Sequence, residues 1–158
     1  MLYLGIDPGN NGSLCCLDDR DKTNIKTAFS DYKDQSLRGY ISTIRSLITQ
    51  NLITLVALEE VHSMPKQGVK STFTFGTNYG MIQGMLQALD VPYILVKPQI
   101  WQKKLLIPAK SDKKKIASII LNIYPDAPLY GTRGGLLDGR SDSLCLAHYA
   151  KLYHKGQT

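Results

Sequence analysis

The stretch that decides the fold is Leu2-Tyr3-Leu4-Gly5-Ile6-Asp7-Pro8-Gly9-Asn10-Asn11-Gly12-Ser13-Leu14-Cys15-Cys16-Leu17. Leu2 to Ile6 is an apolar run of strand length, and Pro8-Gly9-Asn10-Asn11-Gly12 stops it. Ser13 to Leu17 reads as a second strand returning beside the first, with Asp18-Asp19-Arg20-Asp21 as the next turn. Asn24 to Phe29 reads as a third strand, and the short connections make the three an antiparallel meander. Asp7 therefore falls at the carboxyl end of the first strand.

Beyond Phe29 the period changes. Leu37, Tyr40, Ile41, Ile44, Leu47 and Ile48 recur at helical spacing, which predicts an amphipathic helix over residues 34–50. Ile53-Thr54-Leu55-Val56-Ala57-Leu58 is an almost unbroken apolar run. It suits a strand buried on both faces and reached by a helical crossover. Residues 61–73, with Pro65, Lys66, Gln67, Gly68 and Lys70, read as a loop. Phe75, Tyr79, Ile82, Leu86 and Leu89 mark a second helix. Val91 to Val96 reads as a fifth strand, and Pro92 suits an edge. Pro98 opens a short helix through Trp101, and Ser111 is placed to cap a helix carrying Ile116, Ile119, Ile120 and Ile123. The last helix begins near Asp138 and carries Leu144, Ala147, His148 and Leu152.

The predicted class is α/β: a mixed five-stranded sheet, three antiparallel strands then two parallel, flanked by helices. The 158 residues fit one domain, 1–158, with a real core. The first strand is central, so Asp7 and the end of the fourth strand meet at a switch point, where such sheets place their ligands.

The net charge of +6 gives a surface that attracts phosphate backbones. No apolar run is long enough to span a bilayer. The start lacks a basic n-region, so a cytoplasmic protein without a secretion signal is expected. Cys15, Cys16 and Cys145 are odd in number and lack metal-ligand spacing, which reads as reduced, packed thiols.

Three acidic clusters stand out against this basic background: Asp7, Glu59-Glu60, and Asp138 with Asp142. Asp138 and Asp142 are four apart and share one face of a helix. Each cluster alone has a structural reading, as a turn, a strand end or a helix cap. The fold reading brings all three to one place. Two carboxylates about 4 Å apart repel by roughly 4 kcal/mol at an effective dielectric of about 20. Such a group either protonates or binds a cation, and oxygen-only donors suit Mg²⁺ or Mn²⁺. Glu59 and Glu60 face opposite sides of a strand, so only one joins Asp7, and spacing does not say which.

These motifs resemble the RuvC-type Holliday junction resolvases of the RNase H-like superfamily, in the branch that includes phage and plant-organelle enzymes. Leu4-Gly5-Ile6-Asp7-Pro8-Gly9, Leu58-Glu59-Glu60, and Asp138-Gly139-Arg140-Ser141-Asp142-Ser143-Leu144 carry the resemblance, in family order over nearly the whole chain. Pro65-Lys66-Gln67-Gly68 resembles the segment after the second motif. The resemblance implies that Asp7, Glu59, Asp138 and Asp142 are catalytic metal ligands, with two Mg²⁺ ions per site and Mn²⁺ as a substitute. Where bacterial members carry an acidic residue or His three before the final Asp, this chain has Gly139. The resemblance also implies a homodimer that binds four-way DNA junctions and nicks two opposing strands symmetrically. The ends would be 5′-phosphate and 3′-hydroxyl.

Lys110, Ser111, Lys113 and Lys114 cluster at a helix start, where backbone N–H groups would add to phosphate contact. Lys66 and Lys70 follow the second acidic motif and are candidates for touching a strand near the cut. Lys97, Lys103 and Lys104 are weaker ones. Phe73 is a candidate for stacking on unpaired bases, and His62 stands where some relatives carry a stacking aromatic. Gly76, Gly80 and Gly84 lie on one helical face, and in related resolvases this helix forms the dimer interface. Phe75, Trp101 and His148 read as packing.

Other readings remain at this point. An actin-like sugar kinase shares the Gly-Ile-Asp-x-Gly opening but needs two such domains. A nuclease of the same fold acting on branched DNA or RNA–DNA hybrids, with relaxed junction specificity, fits the same residues. A non-catalytic junction-binding protein would have no need of the acidic set.

Overall fold

The chain runs β1 (Leu2–Ile6), β2 (Ser13–Asp18), β3 (Lys26–Asp31), α1 (Leu37–Gln50), β4 (Ile53–Glu59), α2 (Val69–Ala88), β5 (Tyr93–Val96), α3 (Pro98–Lys104), α4 (Lys113–Leu121) and α5 (Asp138–His154). The structure is a computed structural model that describes residues 1–62 and 68–157. The sheet order is β3-β2-β1-β4-β5. β1 pairs antiparallel with β2 and parallel with β4, β2 pairs antiparallel with β3, and β4 pairs parallel with β5. This is the expected mixed sheet with its first strand at the centre.

Strand alternation divides the core. Leu2, Leu4, Ile6, Leu14, Val56 and Leu58 face α1 and α2, where Tyr40, Ile44, Ile82 and Leu86 close over them. Tyr3, Cys15, Leu17, Leu55 and Ala57 face the other way, onto α3, α4 and α5. Cys15 and Cys16 do point to opposite faces, and all three cysteines are free. Among the described residues no helix is long and apolar enough to cross a membrane.

Helix α5 is buried for most of its length, because it lies directly on β1. Gly5 is what permits this: a side chain there would collide with the backbone of Ser143 and Ala147. Gly139 does the same at the helix start, where a Cβ would strike Asn11 and Gly12. These two contacts press the first turns of α5 against the turn that follows β1. Gly139 also explains why no acidic side chain stands three before Asp142.

Several boundaries differ from expectation. β3 lies two residues later, at Lys26–Asp31. α1 starts at Leu37 with Ser36 accepting from Gly39 N, after a 3-10 turn at Tyr32–Asp34. α2 starts at Val69, so Lys70 and Phe73 are helical rather than in a loop. Lys66 lies outside the described residues. Ser111 does not cap α4. Asp112 does, its Oδ1 accepting from Lys115 N at 2.8 Å, while Ser111 Oγ donates to Pro108 O at 2.7 Å. An aspartate adds a full negative charge to the cap, which the helix dipole favours over a hydroxyl. β5 begins at Tyr93, after Pro92, and lies at the sheet edge as expected.

Candidate active site

Asp7 leaves the end of β1, and Glu59 is the last residue of β4. The parallel register sets Ile6 opposite Leu58, so the next residues, Asp7 and Glu59, emerge side by side. The turn after β1 is fixed by Asp7 N donating to Ser13 O at 3.0 Å. Gly9 N donates to Asp7 Oδ1 at 2.9 Å, which aims the carboxylate. From above, α5 brings Asp138 as its first residue and Asp142 one turn further on.

The charges interact. Burial pushes Asp7 up to about 6; Gly9 opposes this and the neighbouring Asp142 adds to it. Glu59 is pushed up to about 7, first by burial and then by Asp7. Asp142 lies above the usual carboxylate range because burial outweighs the ammonium of Lys113. Its side chain is only 8% exposed, and its Oδ1 is buried without a partner among the described residues. The Asp142 Oδ2 accepts from Lys113 Nζ. Burial would lower the pKa of Lys113, but Asp142, Asp7 and Asp138 raise it, so it stays charged.

Lys113 was expected on a phosphate-binding helix start and stands inside the acidic group instead. The first turn of α4 is also less open to anions than expected, because Asp112 already occupies the Lys115 N–H. Lys110 and Lys114 remain exposed, as does Lys70. Lys70 lines an open groove of ≈ 460 Å³ with Asn10, Gly68, Ser71, Thr74 and Phe75, beside the Asp7 turn. Neither this groove nor one of ≈ 500 Å³ between residues 22–27 and 123–127 is lined by any of the four candidate carboxylates.

Glu60 takes no part in the group. It turns to the surface and pairs with the exposed His62, Nε2 to Oε1 at 3.3 Å. Phe73 is 77% exposed. Gly76, Gly80 and Gly84 lie on the exposed side of α2, with open space where a Cβ would stand. Among the described residues nothing within 4 Å requires them to be glycine.

Two contributors were missed in the sequence. Trp101 was read as packing, and it is buried, yet its Nε1–H also donates to Glu59 Oε1 at 3.2 Å. Arg140 grips both oxygens of Asp31, at 3.0 and 2.8 Å, and donates to Pro128 O at 3.0 Å. That clamp ties the start of α5 to β3. Neither has a sequence signal, since each depends on register between distant segments. His148 is a core residue as read, accepting from or donating to Tyr124 Oη through Nδ1 at 2.7 Å.

Among the described residues no three His, Cys, Asp or Glu side chains stand close enough to enclose an ion unaided. The donor set still fits a hard divalent cation. It is all oxygen, it leaves one buried Asp142 oxygen unpartnered, and a lysine already serves as counter-charge. Magnesium in particular keeps water and substrate oxygens in its shell, so two or three protein ligands suffice.

No protein-family model and no curated protein sequence matches the chain. Solved structures do. Thermus thermophilus RuvC is 17% identical with a TM-score of 0.64, covering 99% of this chain and 98% of that one. The T. thermophilus RuvC structure in complex with Holliday junction substrate is 15% identical with a TM-score of 0.65, covering 99% and 97%. The yeast mitochondrial Holliday junction resolvase Ydc2 is 12% identical with a TM-score of 0.63, covering 98% and 79%. The chain has the fold of these proteins, end to end.

Proposed function

We propose that this protein is a divalent-cation-dependent endonuclease that resolves four-way or branched DNA, cutting as a homodimer. The observation that supports the reading is electrostatic: Asp7 feels the charges of Asp142 and Asp138, Glu59 feels those of Asp7 and Asp142, and one buried Asp142 oxygen is left without a partner among the described residues. The likeness to resolvases, two of the neighbouring structures carrying that name or a junction substrate, supports the choice of DNA substrate.

Asp7, Glu59, Asp142 and, at the rim, Asp138 would hold Mg²⁺ or Mn²⁺, two ions in the full arrangement. When bound, the ions would supply charge neutralisation at the scissile phosphate and a more acidic attacking water. The chain's own residues prepare for this. Gly9 N and Trp101 Nε1–H hold two of the carboxylates in orientation. Without a cation, the ionised group repels a phosphodiester, so cutting is gated by metal. Lys113 offsets part of that repulsion, and Lys70, Lys110 and Lys114 give the strand a positive path to the site. The exposed face of α2, with Gly76, Gly80, Gly84 and the projecting Phe73, would meet a second copy or the DNA.

The test offers labelled four-way, three-way, duplex and RNA–DNA hybrid substrates with Mg²⁺ and with EDTA. Paired nicks in the four-way junction, abolished by EDTA, are expected. Equal cutting of the hybrid and the junction would move the reading to a relaxed nuclease of the same fold. Cutting of none in Mg²⁺ or Mn²⁺ would end it.

A further inference from the structure

We propose that Trp101 is a positioning residue for the metal site, its indole N–H fixing the carboxylate of Glu59 for the cation. The inference rests on the reading of Glu59 as a ligand. Glutamate has one more rotatable bond than aspartate, and Glu59 ends its strand, so backbone geometry alone does not settle where its oxygens lie. Asp7 is aimed by a backbone N–H within its own turn. Among the described residues Glu59 has no such local donor, and the bond from Trp101 takes that place, at 3.2 Å across a gap of 42 residues.

The geometry follows from the sheet edge. β5 pairs with β4 so that Val96 lies opposite Glu59. Pro98 then starts α3 immediately, and Trp101 falls one turn later, over the end of β4. The ring is 1% exposed and belongs to the core cluster that includes Tyr3, Leu55, Ala57, Val96 and Leu105. It is held by packing on all sides, so its N–H is a fixed point. An indole N–H donates only. It neither binds a cation nor competes with one for charge, so it can restrain one oxygen and leave the carboxylate free to ligate. Partners that orient ligands in this way typically affect metal affinity by about 10- to 100-fold.

The test is Mn²⁺ binding to the DNA-free protein by calorimetry, for wild type, Trp101→Phe and Glu59→Gln. Phenylalanine keeps most of the packing and removes the N–H. We expect Trp101→Phe to bind Mn²⁺ about tenfold more weakly, near the lower end of that range, while junction affinity in EDTA is unchanged. Wild-type Mn²⁺ affinity in Trp101→Phe, with Glu59→Gln impaired, would overturn the role of Trp101 alone. Unchanged affinity in both variants would overturn the ligand assignment on which it rests. A second measurement needs no substitution at Trp101. It is the only tryptophan in the sequence, so its indole N–H gives a single NMR resonance. Addition of Mg²⁺ should shift that resonance in wild type and not in Glu59→Gln. A resonance that ignores saturating Mg²⁺ in wild type would overturn the proposal.

Discussion

Arg140 and Asp142 stand two residues apart on α5, and each meets an opposite charge from a distant element, with opposite results. Arg140 reaches both oxygens of Asp31 and also a backbone carbonyl. Burial would raise the Asp31 carboxyl, but Arg140 and Ser13 hold it below the usual range. Asp142 shares one oxygen with Lys113 and leaves the other buried and unpartnered, and its carboxyl lies above the usual range. The first pair is complete and builds position. The second is incomplete, as the proposed cation site requires. Completeness of hydrogen bonding, rather than the presence of an ion pair, separates a structural charge from a functional one.

Exchanging charge for amide at each aspartate should break the two regions in different ways. Asp142→Asn is expected to lower cleavage by about a thousandfold or more, as removal of a group acting in a catalytic unit does. It should stay folded, because Lys113 is half-exposed and can turn to water. Single-turnover rates on a four-way junction, with circular dichroism of the same sample, check this; an unfolded Asp142→Asn would place Asp142 with the structural charges. Asp31→Asn should do the reverse. It leaves the Arg140 guanidinium partly buried without its counter-charge, at a cost of about 3–5 kcal/mol. The melting temperature should drop by about 10 °C. Cleavage per folded molecule at low temperature should remain within a few-fold of wild type. A rate loss as large as that of Asp142→Asn would erase the distinction.

pH should sharpen the same contrast, because the two regions titrate with opposite sign. Asp7 is raised to about 6 and Glu59 to about 7, so between their ordinary range and those values the folded state binds more protons than the unfolded one. Stability from this group is therefore present at low pH and lost as pH rises through about 4 to 7 in the absence of metal. The loss is about 2–4 kcal/mol once the coupling between the two is allowed for. Asp31 is lowered, so its contribution is present above the usual carboxylate range and is lost as pH falls below it. Melting curves should show Mn²⁺ raising stability strongly at pH 8 and little at pH 5. A cation effect of equal size at both values would mean that the carboxylates of the site are not what it binds.

Much of this was readable in the chain, for reasons that can be located. The order of strands and helices followed from apolar period and from punctuation such as Pro8-Gly9 and Pro98. The meeting of Asp7 with Glu59 followed from a central first strand and a parallel fourth. What failed was one step finer. Two capping residues stood next to each other, and the charge of Asp112 won over Ser111. Lys113 belongs to a run of lysines that reads as a phosphate-binding helix start, and only the packing of α4 on α5 turns it inward. Trp101 looked like a core residue because it is one. Its second role depends on the β4–β5 register, which no local pattern encodes. Arg140 finds Asp31 across 109 residues for the same kind of reason.

Lys113 offers the finest test of the contrast, because it is the only member of the incomplete pair that brings positive charge. Its ammonium neutralises part of the group and sits on Asp142 Oδ2, beside the unpartnered Oδ1 proposed for the cation. Lys113→Gln removes a like charge from beside an incoming cation, so Mn²⁺ should bind more tightly, not less. At about 4 Å the repulsion relieved is roughly 1 to 4 kcal/mol between the dielectric of water and an effective value of about 20. Lys113 is half-exposed and screened, so the lower end applies, about 1 kcal/mol or a fivefold gain in affinity. The same substitution in the complete pair, Arg140→Gln, should leave Mn²⁺ affinity within about twofold at temperatures where it is folded. Tighter Mn²⁺ binding at low salt that fades as salt is raised would identify Lys113 as the resident counter-charge of the site. Weaker binding would instead make Lys113 a support for the ligands, and the pair it forms with Asp142 would then belong with Arg140 and Asp31.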